Sequence, residues 1–351
     1  VIRVLVVDDS ALVRRLIVTA LADADDIEVV GTARDGLDAI DKVDELSPDV
    51  VTLDVEMPRL DGLGALREIR AQHPRLPVIM FSTLTERGAA ATLEALSRGA
   101  SDYVTKPSNT GSVAEGLASV RDQLVPRIRA LAGMRRLAPA TRAARPRETP
   151  PPVRRPARPA GPAEMLLIGC STGGPDALAK VLAQLPAQLD VPVLVVQHMP
   201  PVFTAMLAQR LDRLSPLTVR EAVAGDVPQP GEVLIAPGDW HMRVETRAGR
   251  VQVTLDQGPQ ENFCRPAVDV LFRSAAGVFG GRCVAAVLTG MGQDGLEGAR
   301  LLAEAGAPIY VQDEATSVVW GMPGAVAHAG LATEILPLPS VPAKLVSMIR
   351  R

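Results

Sequence analysis

The chain has 351 residues, 47% of them hydrophobic, which is enough for two domains with a core each. A formal net charge of -3 excludes a global pull toward nucleic acid, and no apolar run approaches the roughly 18–20 residues of a membrane span. Three cysteines (Cys170, Cys264 and Cys283) with no CxxC spacing argue against structural zinc and for a reducing, cytoplasmic setting, and the lack of a spanning run argues against membrane insertion.

From the first residue, apolar runs alternate with helical patterns. Strands are expected at Ile2–Val7, Glu28–Ala33, Val50–Leu53, Pro77–Phe81 and Asp102–Thr105, with a last helix near Ser112–Leu124. The first run has the shape of a strand and is too short for a signal peptide. The alternation predicts a parallel sheet covered by helices on both faces, with chemistry at the C-terminal strand ends. There stand Asp8, Asp9, Asp54, Ser82 and Lys106. Each aspartate alone also reads as a helix cap. Together the three carboxylates repel one another and call for a hard cation, Mg²⁺ rather than zinc. The lysine suits an anionic group beside that metal, and the Ser82 hydroxyl suits a phosphoryl oxygen.

Val6-Val7-Asp8-Asp9-Ser10, Asp54-Val55-Glu56-Met57-Pro58, Asp61-Gly62 and Val104-Thr105-Lys106-Pro107 make residues 1–125 resemble the receiver domain of bacterial response regulators, a flavodoxin-like fold. The resemblance implies that Asp54 accepts a phosphoryl group from a histidine kinase of the chemotaxis type. It implies Mg²⁺ held by Asp8, Asp9 and Asp54, phosphoryl contact by Lys106, and switch positions at Ser82 and Tyr103.

A linker is expected over 126–163. From about Met134 to Ala163, arginine and proline alternate over an alanine background, which cannot form a core. It reads as a self-repelling spacer, with a basic strip that touches an acidic partner or a membrane surface as the alternative. No aromatic is interleaved to stack on single-stranded nucleic acid.

From residue 164 to 351 strand and helix patterns alternate again. Strands are expected at Met165–Ile168, Val193–Gln197, Thr218–Glu221, Glu232–Ala236, Val284–Leu288 and Pro308–Gln312, with a hairpin at Met242–Thr246 and Arg250–Leu255. The stretch Leu166-Leu167-Ile168-Gly169-Cys170-Ser171-Thr172-Gly173-Gly174-Pro175 reads as a buried strand, a tight turn and a helix start. Such a turn either projects Ser171 as a nucleophile or cradles a phosphate. His198, after a buried strand, is a candidate base, and Asp294, after another, a candidate orienter. Asp294 also reads as a cap for the helix that follows it. His241 competes as a base or stands at the rim, and Cys170 reads as a buried filler.

The segment resembles the catalytic domain of chemotaxis protein-glutamate methylesterases. The resemblance rests on Ile168–Pro175, Gln197-His198-Met199-Pro200, Pro237–Met242, Arg265–Leu271, Leu288–Gly295 and Asp313–Pro323, in family order. It implies Ser171 as nucleophile, His198 as base, Asp294 as its orienter, the Met291 backbone N–H as oxyanion donor, and no cofactor in that site. It implies a monomeric, phosphorylation-regulated hydrolase of γ-glutamyl methyl esters, and a glutamine deamidase, acting on methyl-accepting chemoreceptors in sensory adaptation. The expected fold is therefore two doubly wound α/β domains joined by a Pro/Arg-rich linker. Two other readings stay open: a regulator whose second domain only binds, and a serine hydrolase of lipids or small esters.

Overall fold

The computed structural model describes residues 1–107, 112–137 and 161–350. They fall into two compact units, 1–146 and 147–351. Most of the expected Pro/Arg-rich linker, residues 138–160, lies outside the described residues.

The first unit is a parallel sheet of β1 (Ile2–Val7), β2 (Ile27–Ala33), β3 (Val50–Asp54), β4 (Val78–Ser82) and β5 (Asp102–Thr105), in the order β2-β1-β3-β4-β5. Val4, Val6, Leu53, Ile79 and Met80 are fully buried, as expected of strands covered on both faces. The strand order reverses between β1 and β3, and that crevice receives the residues at their C-terminal ends. Ser10, Asp35, Asp61 and Thr85 cap the four helices after β1 to β4, each side chain accepting from a first-turn N–H. Because Ser10 caps the first helix, Asp8 and Asp9 are not spent on that task. The last helix runs Val113–Leu137, past the Leu124 end that its pattern gave and through Pro126. Val125, Ile128, Leu131 and Ala132 are all buried along it, so apolar contacts hold the helix where proline removes a backbone donor.

The second unit is built on a seven-stranded parallel sheet. Its strands are β6 (Met165–Cys170), β7 (Val193–Gln197), β8 (Thr218–Glu221), β9 (Glu232–Ile235), β12 (Cys283–Val287), β13 (Ile309–Gln312) and β14 (Glu334–Leu336). The hairpin β10 (His241–Arg247) and β11 (Arg250–Asp256) forms a separate antiparallel pair. The order β14-β13-β12-β6-β7-β9-β8 sets β12, β6 and β7 side by side, with Ser171, His198 and Asp294 in the loops at their C-terminal ends. The edge strand β14 escapes the sequence pattern because it has three residues and only Leu336 is buried.

One close approach ties the sheet to the site. A Cβ on Gly169 would lie 2.5 Å from Cγ1 of Val268, the first residue of the helix Val268–Phe279. Gly169→Ala should cost about 1–3 kcal/mol, read from the denaturant midpoint of the second unit, because a packed β-branched side chain must shift. The same change should disturb the site described next, since the start of that helix carries part of it.

Candidate active site

The serine turn is built by hydrogen bonds to its backbone. β6 ends at Cys170, Gly173 takes a positive φ of 77°, and the helix Gly174–Leu182 starts behind it. Glycine at 173 avoids both the strain of that φ and a Cβ placed 2.6 Å from Val318. The Ser171 N–H donates to Thr289 O (3.0 Å), and its carbonyl accepts from Gly174 N (2.7 Å) and Gln197 Nε2 (3.0 Å). The hydroxyl is left half-exposed, with no hydrogen-bond partner among the described residues. A Cβ on Gly290 would lie 2.9 Å from Ser171 Cβ, so the Gly290-Met291 backbone passes directly against the serine. The Met291 N–H has no partner among the described residues. Cys170 is fully buried, its thiol on Gln197 Oε1 at 3.1 Å, in keeping with a filler.

His198 Nε2 donates to Asp294 Oδ2 at 2.7 Å, across 96 residues of chain. Asp294 is 2% exposed and gathers four further donors. Val268 N (2.6 Å) donates to Oδ2; Asp269 N (3.0 Å), Gly295 N (2.9 Å) and Asn262 Nδ2 (3.1 Å) donate to Oδ1. Val268 and Asp269 open the helix Val268–Phe279, so the carboxylate satisfies N–H groups that the helix leaves unpaired and faces the positive end of its dipole. Burial alone would raise the Asp294 pKa, but the hydrogen bond and charge of His198 and these backbone donors hold it below the ordinary range. Asp294 is thus a helix cap as well as a partner of His198, though the helix is not the one that follows it in sequence. Burial disfavours a charged His198, yet Cys264 and Asp294 outweigh it and push the imidazole up to about 10.

Three residues outside the sequence reading of the site complete it. Cys264 Sγ lies 3.5 Å from His198 Nδ1. Asn262 Nδ2 bridges Asp294 and Asp269, at 3.1 Å and 2.9 Å. Asp269 also accepts from Gly298 N (2.7 Å) and is pushed up to about 6 by burial and by the neighbouring Asp294 charge. Their signal was an acid in a helix first turn and polar residues before a proline, too common to single out. His241 needs a correction, since it is neither base nor rim. It is 1% exposed, with Nε2 donating to Pro259 O (2.9 Å) and Nδ1 accepting from Ala267 N (3.3 Å), and so braces the backbone of the 259–267 segment.

In the first unit the expected cluster assembles. Ligand oxygens of Asp8, Asp9 and Asp54 all lie within 4.8 Å of one another. Lys106 Nζ contacts Asp8 Oδ2 (2.9 Å) and Asp54 Oδ2 (2.8 Å). Burial, together with the Asp8 charge, raises Asp54 to about 6 despite the lysine. Three mutually repelling oxygen ligands are the donor set of a hard divalent cation, so the residues fit Mg²⁺. Ser82 is buried and donates to Gly88 O (3.1 Å). The Tyr103 ring is also buried, which raises its phenol above the ordinary range.

Residues 166–345 match the family model described as CheB methylesterase, and residues 4–117 match that of the response regulator receiver domain. The chain belongs to the CheB methylesterase family. It is 55% identical over 339 residues to a protein-glutamate methylesterase/protein-glutamine glutaminase of a Nocardioides species, covering 96% of this chain and 92% of that one. It is 47% identical to a protein of the same description from Trichodesmium erythraeum, covering 99% of each. The crystal structure of the Thermotoga maritima CheB methylesterase catalytic domain aligns with a TM-score of 0.52 at 43% identity, covering 53% of this chain and 98% of that one. The family is one of phosphorylation-regulated esterases, with chemoreceptors as substrates and a kinase as phosphodonor in general terms. No helix among the described residues is long and apolar enough to cross a membrane.

The site generates a pH prediction. The folded-state pKa of Asp269 lies above the ordinary carboxylate value, at about 6, so between those values the folded chain holds a proton that the unfolded chain has released. Its contribution to stability therefore falls as pH rises through that window. Asp269→Asn should stabilise the second unit by on the order of 1–3 kcal/mol above pH ~6, and by progressively less toward pH ~4, in denaturant titrations at each pH.

Proposed function

We propose that this chain hydrolyses glutamate γ-methyl esters on chemoreceptors through Ser171, His198 and Asp294, and deamidates glutamine by the same acyl transfer. The observation that carries the reading is the pairing of His198 Nε2 with a buried, five-donor Asp294 carboxylate at the edge where Ser171 stands. With Nε2–H committed to Asp294, Nδ1 is the nitrogen that takes the Ser171 proton. Ser171 Oγ then attacks the ester carbonyl, the protonated Nδ1 gives its proton to departing methanol, and water releases the acyl enzyme. In deamidation ammonia leaves instead. The Met291 N–H, which has no partner among the described residues and lies beside the serine, serves the developing oxyanion.

In the receiver domain, Asp54 accepts the phosphoryl group from a histidine kinase of the chemotaxis type. Asp8, Asp9 and Asp54 would hold Mg²⁺, which when bound supplies positive charge to the phosphoryl oxygens. Lys106 balances the carboxylates before transfer and contacts the phosphoryl oxygens after it. The Ser82 hydroxyl and the buried Tyr103 ring report the change to the domain surface. The domains are read as 1–125 and 164–351, working in the cytoplasm.

Methanol release from methylated chemoreceptor membranes tests this. Ser171→Ala should lower turnover by at least ~10³-fold, and release at the wild-type rate would remove the serine from its role. A small-molecule phosphodonor should raise the turnover of the full chain and leave Asp54→Asn unchanged.

A further inference from the structure

Among the described residues no hydrogen bond joins His198 to Ser171. Nε2 is committed to Asp294, and Nδ1 has Cys264 Sγ 3.5 Å away, while the Ser171 hydroxyl has no hydrogen-bond partner among the described residues. We propose that Cys264 is a positioning residue that occupies the base nitrogen of His198 in the resting enzyme, so that Ser171 is activated only when the thiol gives way. The inference rests on the reading of His198 as the general base.

Three observations carry it. The first is chemical. A thiol and an imidazole at this separation share one proton, as S–H···N or as S⁻···H–N⁺, and neither form leaves Nδ1 free to take a proton from serine. The second is selectivity. Cys170 and Cys283 are buried, and burial raises both thiols well above the ordinary range; Cys264 is half-exposed and is the cysteine set against the histidine. The third is architecture. Cys264 closes a tight turn by backbone hydrogen bonds with Glu261 in both directions, 3.1 Å and 2.8 Å. Asn262 and Phe263 between them take positive φ values of 52° and 62°. The same turn sends Asn262 to Asp294, so it grips the histidine–aspartate pair at both ends. Phe263 holds its left-handed backbone with a side chain 96% exposed, so no packing of its own fixes the turn.

The charged and titratable groups around His198 are few. Cys264 faces Nδ1 from the turn, and Asp294 faces Nε2 from the loop after β12. Asp269 stands behind Asp294, and Arg273 of the same helix pairs with Glu261 at the start of the turn. Among the described residues Cys264 is the group placed to exchange a proton with Nδ1. A thiolate there favours the imidazolium and keeps the base charged to higher pH.

The test uses the full chain as wild type, Cys264→Ala, Cys264→Ser and His198→Gln. One arm measures kcat/KM for methanol release against pH. Cys264→Ala should move the acid limb about one unit lower, so that turnover on that limb rises about tenfold. Cys264→Ser, which keeps a hydrogen bond but not an ionising sulfur, should move it less. The other arm follows alkylation of Cys264 by iodoacetamide with mass spectrometry. The thiolate sulfur displaces iodide and forms a C–S bond, and the thiol proton remains on His198. At a fixed neutral pH the wild type should be alkylated faster than His198→Gln, because the imidazole beside the sulfur takes the thiol proton. An unmoved acid limb in both cysteine variants, or identical alkylation rates with and without His198, overturns the inference. Full turnover by His198→Gln would instead overturn the base assignment on which it rests, an outcome the first arm identifies separately.

Discussion

A single carboxylate organises the esterase unit. Asp294 is almost wholly buried, and an ionised acid there is tolerable only because five donors meet it. Two are backbone N–H groups at the start of the helix Val268–Phe279, one is its neighbour Gly295, one is Asn262, and one is the imidazole of His198. The helix needs an anion at its N-terminus and the histidine needs an acceptor for Nε2–H, so one group meets both demands. This couples packing to chemistry: whatever shifts Val268 also shifts the acceptor that orients His198.

The receiver unit solves the opposite problem. Asp8, Asp9 and Asp54 bring like charges to one edge with Lys106 as the cation among them. Burial and Asp8 keep Asp54 harder to ionise than an exposed carboxylate. The cluster is therefore strained in charge without a divalent cation or a phosphoryl group, and either changes its balance. In the esterase unit the balance is complete within the protein, which is why its aspartate is depressed and this one is raised.

Much of this was legible in the chain. Buried strands announced themselves as unbroken Val, Leu and Ile runs, and the polar residues at their ends, Asp8, Asp54, Ser171 and His198, with Asp294 in the glycine-rich loop after another, stood out against that background. The edge strand β14 did not, because a short strand covered on few sides needs no apolar run. His241 was misread for a related reason. A histidine beside Trp240 and Asp239 looks like a rim residue, and only the fold shows its ring bonded on both sides to the backbone of the 259–267 segment.

By itself the sequence determined the class of fold, the alternation of strands and helices, and which chemistry-bearing side chains sit at strand ends. These follow from local periodicity and turn residues, which act over a few positions. Only the tertiary structure decided which strand ends are neighbours, and hence that Asp294 caps a helix 26 residues upstream of it and receives His198 from 96 residues away. It alone set Cys264, rather than Ser171, against the base nitrogen. Such contacts depend on strand order and on how a helix end meets a loop, and no pattern within one segment of chain carries that information.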